Sequence, residues 1–417
     1  MDPSSFSGEG RQLMRLFISA GEPSGDVHGA NLIHKIRERC PEVEVVGFGG
    51  PHMTEAGAKL IFPLVELAVM WFLRVLLNIN KFFALAKQAE DYFRDEKPDA
   101  VILIDYPGFH WHIAKRATKH GIPVIYYVPP QLWAWAGWRV EKMKRTVNEV
   151  LCSLPFEPAW YEKKGLKGAV YVGHPFFDEQ ADRPVDQAFL LNQRSHEKTL
   201  VAILPGSRTQ ELTRNLPIML KAAKKLVKTQ PNVRFAIACL HDRHKAMAQE
   251  IVNQANLPHL DLSIHAGKTV ELIKVAKIAW AVSGSVGLEL MLEALPTVVL
   301  YKVNKFDLLV ARRFIKSKYI SLVNLLADAE LFPEYLTPHD VSSDLAAWGE
   351  EWLSKPEAHA KASQALADLR ERVAKPGASD RAADRIVAFV RGRSTEPRGP
   401  HFKGQGALSD RSQTSQI

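Results

Sequence analysis

The chain has 417 residues, 24% of them charged, a formal net charge of +8, and three cysteines (Cys40, Cys152, Cys239) without metal-ligand spacing. This excludes a disulfide scaffold and a low-complexity chain, and the length exceeds what one core ordinarily serves, so two domains in a reducing, cytoplasmic setting are expected. No stretch reaches the ~18 apolar residues of a membrane span, Met1 to Gln12 lacks the apolar centre of a signal peptide, and the scattered positive charge favours acidic partners without a nucleic-acid signature.

Short β-rich runs alternate with helical stretches, the pattern of parallel sheets covered on both faces. The first strand is predicted over 15–19 and is followed by "SAGEPSGD" (Ser19 to Asp26). An ordinary strand-to-helix turn needs one glycine and one capping residue, so this loop is richer than a connector requires. The helix after it carries Val27, Ala30, Ile33 and Ile36 on one face. Further strands are predicted over 43–46, 100–105 and 124–128. Between them, "VELAVMWFLRVLL" (Val65 to Leu77) is unusually apolar and is either core or a patch that touches lipid. "VILIDYPGFHWH" ends its strand on Asp105, where a carboxylate at a strand's carboxyl end can take a proton from a substrate hydroxyl. His110 and His112 lack metal-like partners and are expected to be polar loop residues.

"VGHPFFDE" (Val172 to Glu179) reads as the crossing between domains, followed by a polar stretch over 182–198. Strands are then predicted over 200–204, 233–238, 278–282 and 297–301. The expected division is 12–180, 181–392 with a terminal helix, and a tail over 393–417 whose composition resembles disordered chains. The expected fold is α/β, two Rossmann-like domains facing across a cleft, with ligands at the carboxyl ends of strands. Two loops fit a phosphate. In "LPGSRTQEL", Gly206 admits close approach, Ser207 can donate, and Arg208 is a two-pronged cation. In "VSGSVGLELML", Ser283, Gly284 and Ser285 open a helix, and Glu289 is placed to accept from ribose hydroxyls. A nucleoside diphosphate uses both loops. With no Asp-x-Asp pair, neither a metal nor a cofactor is expected, and Arg208 with the helix ends would offset leaving-group charge.

A collinear series of segments, "AGEPSGDVHGANLI", "GFGGPHMTEAG", "ELAVM", "WAW", "LPFEPAWYEKKG", "VGHPFFD", "LPGSRTQEL", "SGSVGLELML", "YKVN", "SLVNLLADAELFPEYL" and "GASDRAADRI", resembles the lipid-A-disaccharide synthases, inverting glycosyltransferases of the GT-B type. The resemblance implies transfer of 2,3-diacylglucosamine from UDP to 2,3-diacylglucosamine 1-phosphate at the cytoplasmic membrane face, with a homodimer plausible. It implies Asp105 as general base, with Glu22 and Asp26 beside it and Ser24, Gly25, Met70, Trp71 and Arg139 on the substrate side. Gly206, Ser207, Arg208, Ser283, Gly284, Ser285, Glu289 and Asn324 would hold UDP. Departures from the family pattern cluster in the first domain: Trp71 and Arg74 stand for a glycine and a glutamate, Gly108 and His110 for an aspartate and an asparagine, Ala136 for an arginine, and Pro129 to Gln131 for a serine-flanked segment. Another glycosyltransferase, a nucleotide-sugar epimerase, or a non-catalytic relative that binds UDP-sugar or lipid are the alternatives.

Overall fold

The computed structural model describes residues 13–68, 79–180, 183–305, 308 and 317–394. Two α/β domains are present, each built on a parallel sheet. The first sheet contains β1 (Arg15–Ala20), β2 (Glu44–Phe48), β3 (Lys59–Phe62), β4 (Ala100–Ile104), β5 (Val124–Tyr127), β6 (Glu149–Cys152) and β7 (Ala169–Tyr171), in the order β3-β2-β1-β4-β5-β6-β7. The second contains β8 (Thr199–Leu204), β9 (Val233–Cys239), β10 (Leu262–Ala266), β11 (Ile278–Ala281), β12 (Thr297–Lys302) and β13 (Glu334–Thr337), in the order β10-β9-β8-β11-β12-β13. Two apolar cores flank each sheet. The central strands are nearly continuous apolar runs, such as "AVILI" in β4, because both of their faces are covered.

Five strands, β3, β6, β7, β10 and β13, lie outside the predicted set. They are short and sit toward the sheet margins, and all except β6 are only partly buried, so their sequences lack a long apolar run. At the opening of the apolar stretch Val65 to Leu77, Leu67 joins the core beside Leu64, the residue just before the stretch. Residues 69–78, with Met70, Trp71 and Arg74, lie outside the described residues, as does 395–417. Among the described residues no helix is long and apolar enough to cross a membrane.

Strand order reverses between β1 and β4 in the first sheet and between β8 and β11 in the second. The chain leaves each pair in opposite directions, which opens a crevice at their carboxyl ends. β1 and β4 pair up to Ala20 against Ile104, and β8 and β11 up to Leu204 against Ala281. The loops after these four strands are those singled out in the sequence.

The terminal helix Ala378–Ser394 packs against the first domain, whereas the expected division grouped it with the second. Ala382, Ala383, Ile386, Val387 and Val390 enter the same core as Leu32, Ile33 and Ile36 of the helix Pro23–Arg39. Arg385 makes a two-pronged pair with Glu149 at 2.6 and 3.0 Å. Asp178, in the crossing segment, accepts from the amides of Gly377, Ala378 and Ser379 at 2.6, 3.1 and 2.7 Å. One carboxylate thus fixes the start of the returning helix. Asp178→Ala strips those amides of their acceptor and is expected to lower unfolding stability by about 2 kcal/mol. Urea denaturation of the variant beside the parent checks this, and an unchanged midpoint would deny the cap its role.

Candidate active site

The chain leaves β1 through Gly21 and Glu22 and leaves β4 through Asp105 and Tyr106. Gly21 has no room for a side chain, because a Cβ there would lie 2.3 Å from the Tyr106 ring. The two loops therefore pack directly on each other. Glu22 is the extended N-cap of the helix Pro23–Arg39, with Pro23 in the first turn. Its carboxyl is pushed up, first by burial and then by the charge of Asp105, while Arg208 from the second domain pulls it down. Burial likewise raises Asp105, against the Tyr106 amide and the nearby His28. Two carboxyls of one domain and a guanidinium of the other therefore share one electrostatic neighbourhood.

Asp105 and Tyr106 both adopt left-handed backbone conformations, with φ of 49° and 47°. Such residues cost on the order of 1 kcal/mol or more each and persist where their surroundings over-determine them. The Asp105 carbonyl accepts from His110 Nδ1 at 2.6 Å and from the Tyr126 hydroxyl at 2.7 Å. A carbonyl only accepts, so Nδ1 carries the imidazole proton, and Nε2 accepts from the Ser19 hydroxyl at 2.9 Å. His110 is fully buried in the helix Pro107–Lys119, which corrects its expected place in a polar loop; His112 in the same helix is exposed. Burial holds the His110 imidazole down at about 4.

Asp26 is not a free carboxylate in the cleft. It is buried and accepts from the amides of Gly50, His52 and Met53 at 2.8, 3.0 and 3.1 Å, fixing the helix Pro51–Glu55. Ser24 is exposed in the first turn and Gly25 is buried under it. Arg139 stacks on Trp135 and Trp138, with its guanidinium carbon 4.9 and 5.1 Å from their ring centroids. His28, whose position in "GDVHG" drew no attention in the sequence, contacts Glu179 of the crossing segment through Nδ1 at 2.5 Å.

In the second domain, Gly206 has φ of 118°, and a Cβ there would lie 2.4 Å from Glu211. The close approach expected of a ligand is thus made by the protein's own Glu211 side chain. Glu211 Oε2 accepts from the amides of Ser207 and Arg208 at 3.1 and 3.2 Å, and Oε1 from Arg208 Nη1 at 3.1 Å. Glu211 had no assigned function, though an acid three residues after the N-cap is the signal of a capping box. The Arg208 side chain remains 76% exposed.

The Ser283 hydroxyl donates to Ile320 O at 2.7 Å, so its side chain braces the loop instead of facing a phosphate. A Cβ at Gly284 would meet no atom within 4 Å. Ser285 is the N-cap of the helix Val286–Leu292, and Glu289, one turn in, contacts Arg183 Nη1 at 3.0 Å. Gly206, Ser207, Ser283, Gly284, Glu289 and Arg183 line one pocket at the ends of β8 and β11. Asn324 lies apart from this lining. It is fully buried, accepts from Leu331 N and Phe332 N at 2.8 Å each, and donates to Phe332 O and Glu334 at 2.7 Å each. Its side chain ties the helix Leu322–Ala327 to β13, which corrects its expected contact with nucleotide. Among the described residues no three or more His, Cys, Asp or Glu side chains gather as metal ligands.

The family profile described as lipid-A-disaccharide synthetase matches residues 16–387. The chain is 33% identical over 377 residues to the lipid-A-disaccharide synthase of Anaeromyxobacter sp. (strain K), covering 90% of this chain and 98% of that one. The chain belongs to the lipid-A-disaccharide synthase family. A synthase from Idiomarina loihiensis is 34% identical over 383 residues, covering 91% and 99%. Among solved structures, the chain is similar in fold to UDP-GlcNAc 2-epimerase from Neisseria meningitidis bound to UDP-GlcNAc, with a TM-score of 0.62 at 12% identity, covering 90% of this chain and all of that one. It is also similar to MurG from Acinetobacter baumannii, with a TM-score of 0.52 at 16% identity, covering 90% and 99%. The epimerase likeness is one of fold, whereas the synthase family is matched in sequence along nearly the whole chain, so the family is one of glycosyltransferases and the epimerase alternative is not favoured.

The family's asparagine position, taken here by His110, gives a pH test. Between about 4 and the ordinary histidine value near 6.5 the unfolded chain binds a proton that the native imidazole does not, so stability rises with pH across that window. Acidification from pH 6.5 toward 4.5 is expected to lower the urea midpoint of the parent more than that of His110→Asn. Equal losses would place the acid sensitivity elsewhere.

Proposed function

We propose that the chain transfers 2,3-diacylglucosamine from UDP-2,3-diacylglucosamine to the 6-hydroxyl of 2,3-diacylglucosamine 1-phosphate, forming a β-1,6 disaccharide phosphate and UDP. The observation that carries this reading is the pairing of the two crevices. The first presents Glu22 and Asp105 as half-buried carboxyls; the second presents a pocket lined by Gly206, Ser207, Gly284 and Glu289. Arg208 is the group of the donor side that Glu22 senses, which supports catalysis across the cleft.

The reaction would be a single displacement. Asp105 takes the proton of the acceptor hydroxyl as its oxygen attacks the anomeric carbon, and UDP leaves from the opposite side. The clasp on the Asp105 carbonyl by His110 and Tyr126 holds the base in a fixed backbone conformation, so little orientation is lost on reaching the transition state. Arg208 and the loop amides over 283–285 would offset charge developing on the diphosphate. Glu289 would take the ribose hydroxyls. Arg139, fixed between two indoles, supports a role in holding the anionic acceptor, and the acyl chains would call for work at the cytoplasmic membrane surface.

The test is mass spectrometry of the products formed from the two diacylglucosamine substrates, with UDP release followed in parallel. A tetraacyl disaccharide phosphate is expected in step with UDP; UDP release without it would replace the acceptor assignment. Asp105→Asn is expected to lower kcat roughly 100-fold or more while UDP affinity stays unchanged. Because Asp105 acts ionised and burial raises its carboxyl, kcat should fall on acidification through a value above the ordinary aspartate range. An activity that holds at those pH values would remove Asp105 as base.

A further inference from the structure

Arg183 stands just beyond the crossing helix Phe176–Glu179, in the polar stretch to which the sequence assigned no chemistry. Two independent features of its surroundings point to a ligand. The first is Glu289: Oε1 pairs with Arg183 Nη1 at 3.0 Å, while Oε2 is buried with no hydrogen-bond partner. A carboxylate oxygen left bare in that way is costly unless something else comes to it. The second is position. Arg183 lines the same pocket as Gly206, Ser207, Ser283 and Gly284, although it belongs to the connection between the sheets and not to either strand-end loop.

Charge decides what the arginine is for. The carboxylate of Glu211 is already taken by two amides and by Arg208, and Arg208 itself is largely in solvent. A nucleoside diphosphate brings at least two negative charges into this space. Arg183 offers a planar cation with five N–H donors, and its ion pair with Glu289 holds the guanidinium group beside the pocket.

We propose that Arg183 is a diphosphate-binding residue of the donor site, oriented by Glu289 Oε1 and paired with the β-phosphate, while Glu289 Oε2 accepts from the ribose. The inference rests on the reading of this pocket as the UDP-sugar site. In the transfer, the acceptor oxygen forms the bond to the anomeric carbon and gives its proton to Asp105. The bond from that carbon to the diphosphate breaks with its electron pair on the β-phosphate oxygen. Arg183, in the pocket lining, meets the charge that arrives there.

Calorimetric titration of the full-length protein with UDP and with UMP tests this, using the parent, Arg183→Ala and Arg183→Lys, each checked for an unchanged thermal unfolding midpoint. Arg183→Ala is expected to weaken UDP at least 10-fold and UMP less than 3-fold, with Arg183→Lys recovering part of the loss. UDP affinity within 2-fold of the parent, or tighter, overturns the inference. Equal loss for UDP and UMP overturns it too, because that result assigns Arg183 to bracing Glu289. A parent protein that binds neither nucleotide overturns the reading of the pocket itself, an outcome distinct from all of these.

Discussion

Parallel pairing of β1 with β4 and of β8 with β11 is the constraint from which the rest of the site follows. Neighbouring parallel strands end at the same edge, and here the crossovers that follow them diverge, which opens a crevice at their carboxyl ends. In the first sheet this sets Glu22 beside Asp105 under partial burial, where burial raises both carboxyls and the charge of Asp105 makes ionisation of Glu22 harder. In the second it sets the glycine-bearing loops around one pocket. The charge of Arg208, felt by Glu22, is the electrostatic link between the two crevices.

The acidic residues near these crevices divide by what their oxygens hold. Asp26, Asp178 and Glu211 each accept from two or more backbone amides and fix the start of a helix. Glu157 does the same for the Leu154 amide and adds the Trp133 indole, and its burial pushes the carboxyl up to about 7. Glu289 differs in keeping one oxygen without a partner. A motif written in letters treats these groups alike. Hydrogen-bond accounting separates those that build the crevice from those with capacity left for a substrate.

The central strands and the loops that follow them were legible because a buried parallel strand is a run of apolar residues and its exit is marked by glycine and serine. The marginal strands were not: "EYLT" and "LSIHA" carry neither alternation nor a long apolar run. The predicted strand through Asp105 stops at Ile104, because the backbone turns left-handed at the next residue, a conformation no side-chain pattern announces. Within the motifs, the residue types pointed to the right loops but not to the partners. Asp26, Gly206, Ser283 and Asn324 meet protein atoms where a ligand was expected. Arg183 sits in a polar connector whose composition resembles any surface, and its contact with Glu289 and its place in the pocket lining distinguish it.

The return of the helix Ala378–Ser394 to the first domain has a consequence for biosynthesis. A ribosome delivers the residues of the first sheet before any of the second, yet the apolar face formed by Leu32, Ile33 and Ile36 gains its covering residues only when Ala382 to Val390 emerge. The second domain is in effect an insertion within the first, and the longest-range contacts in the chain close last. The first domain's core is therefore completed only after the residues of the second domain have been made.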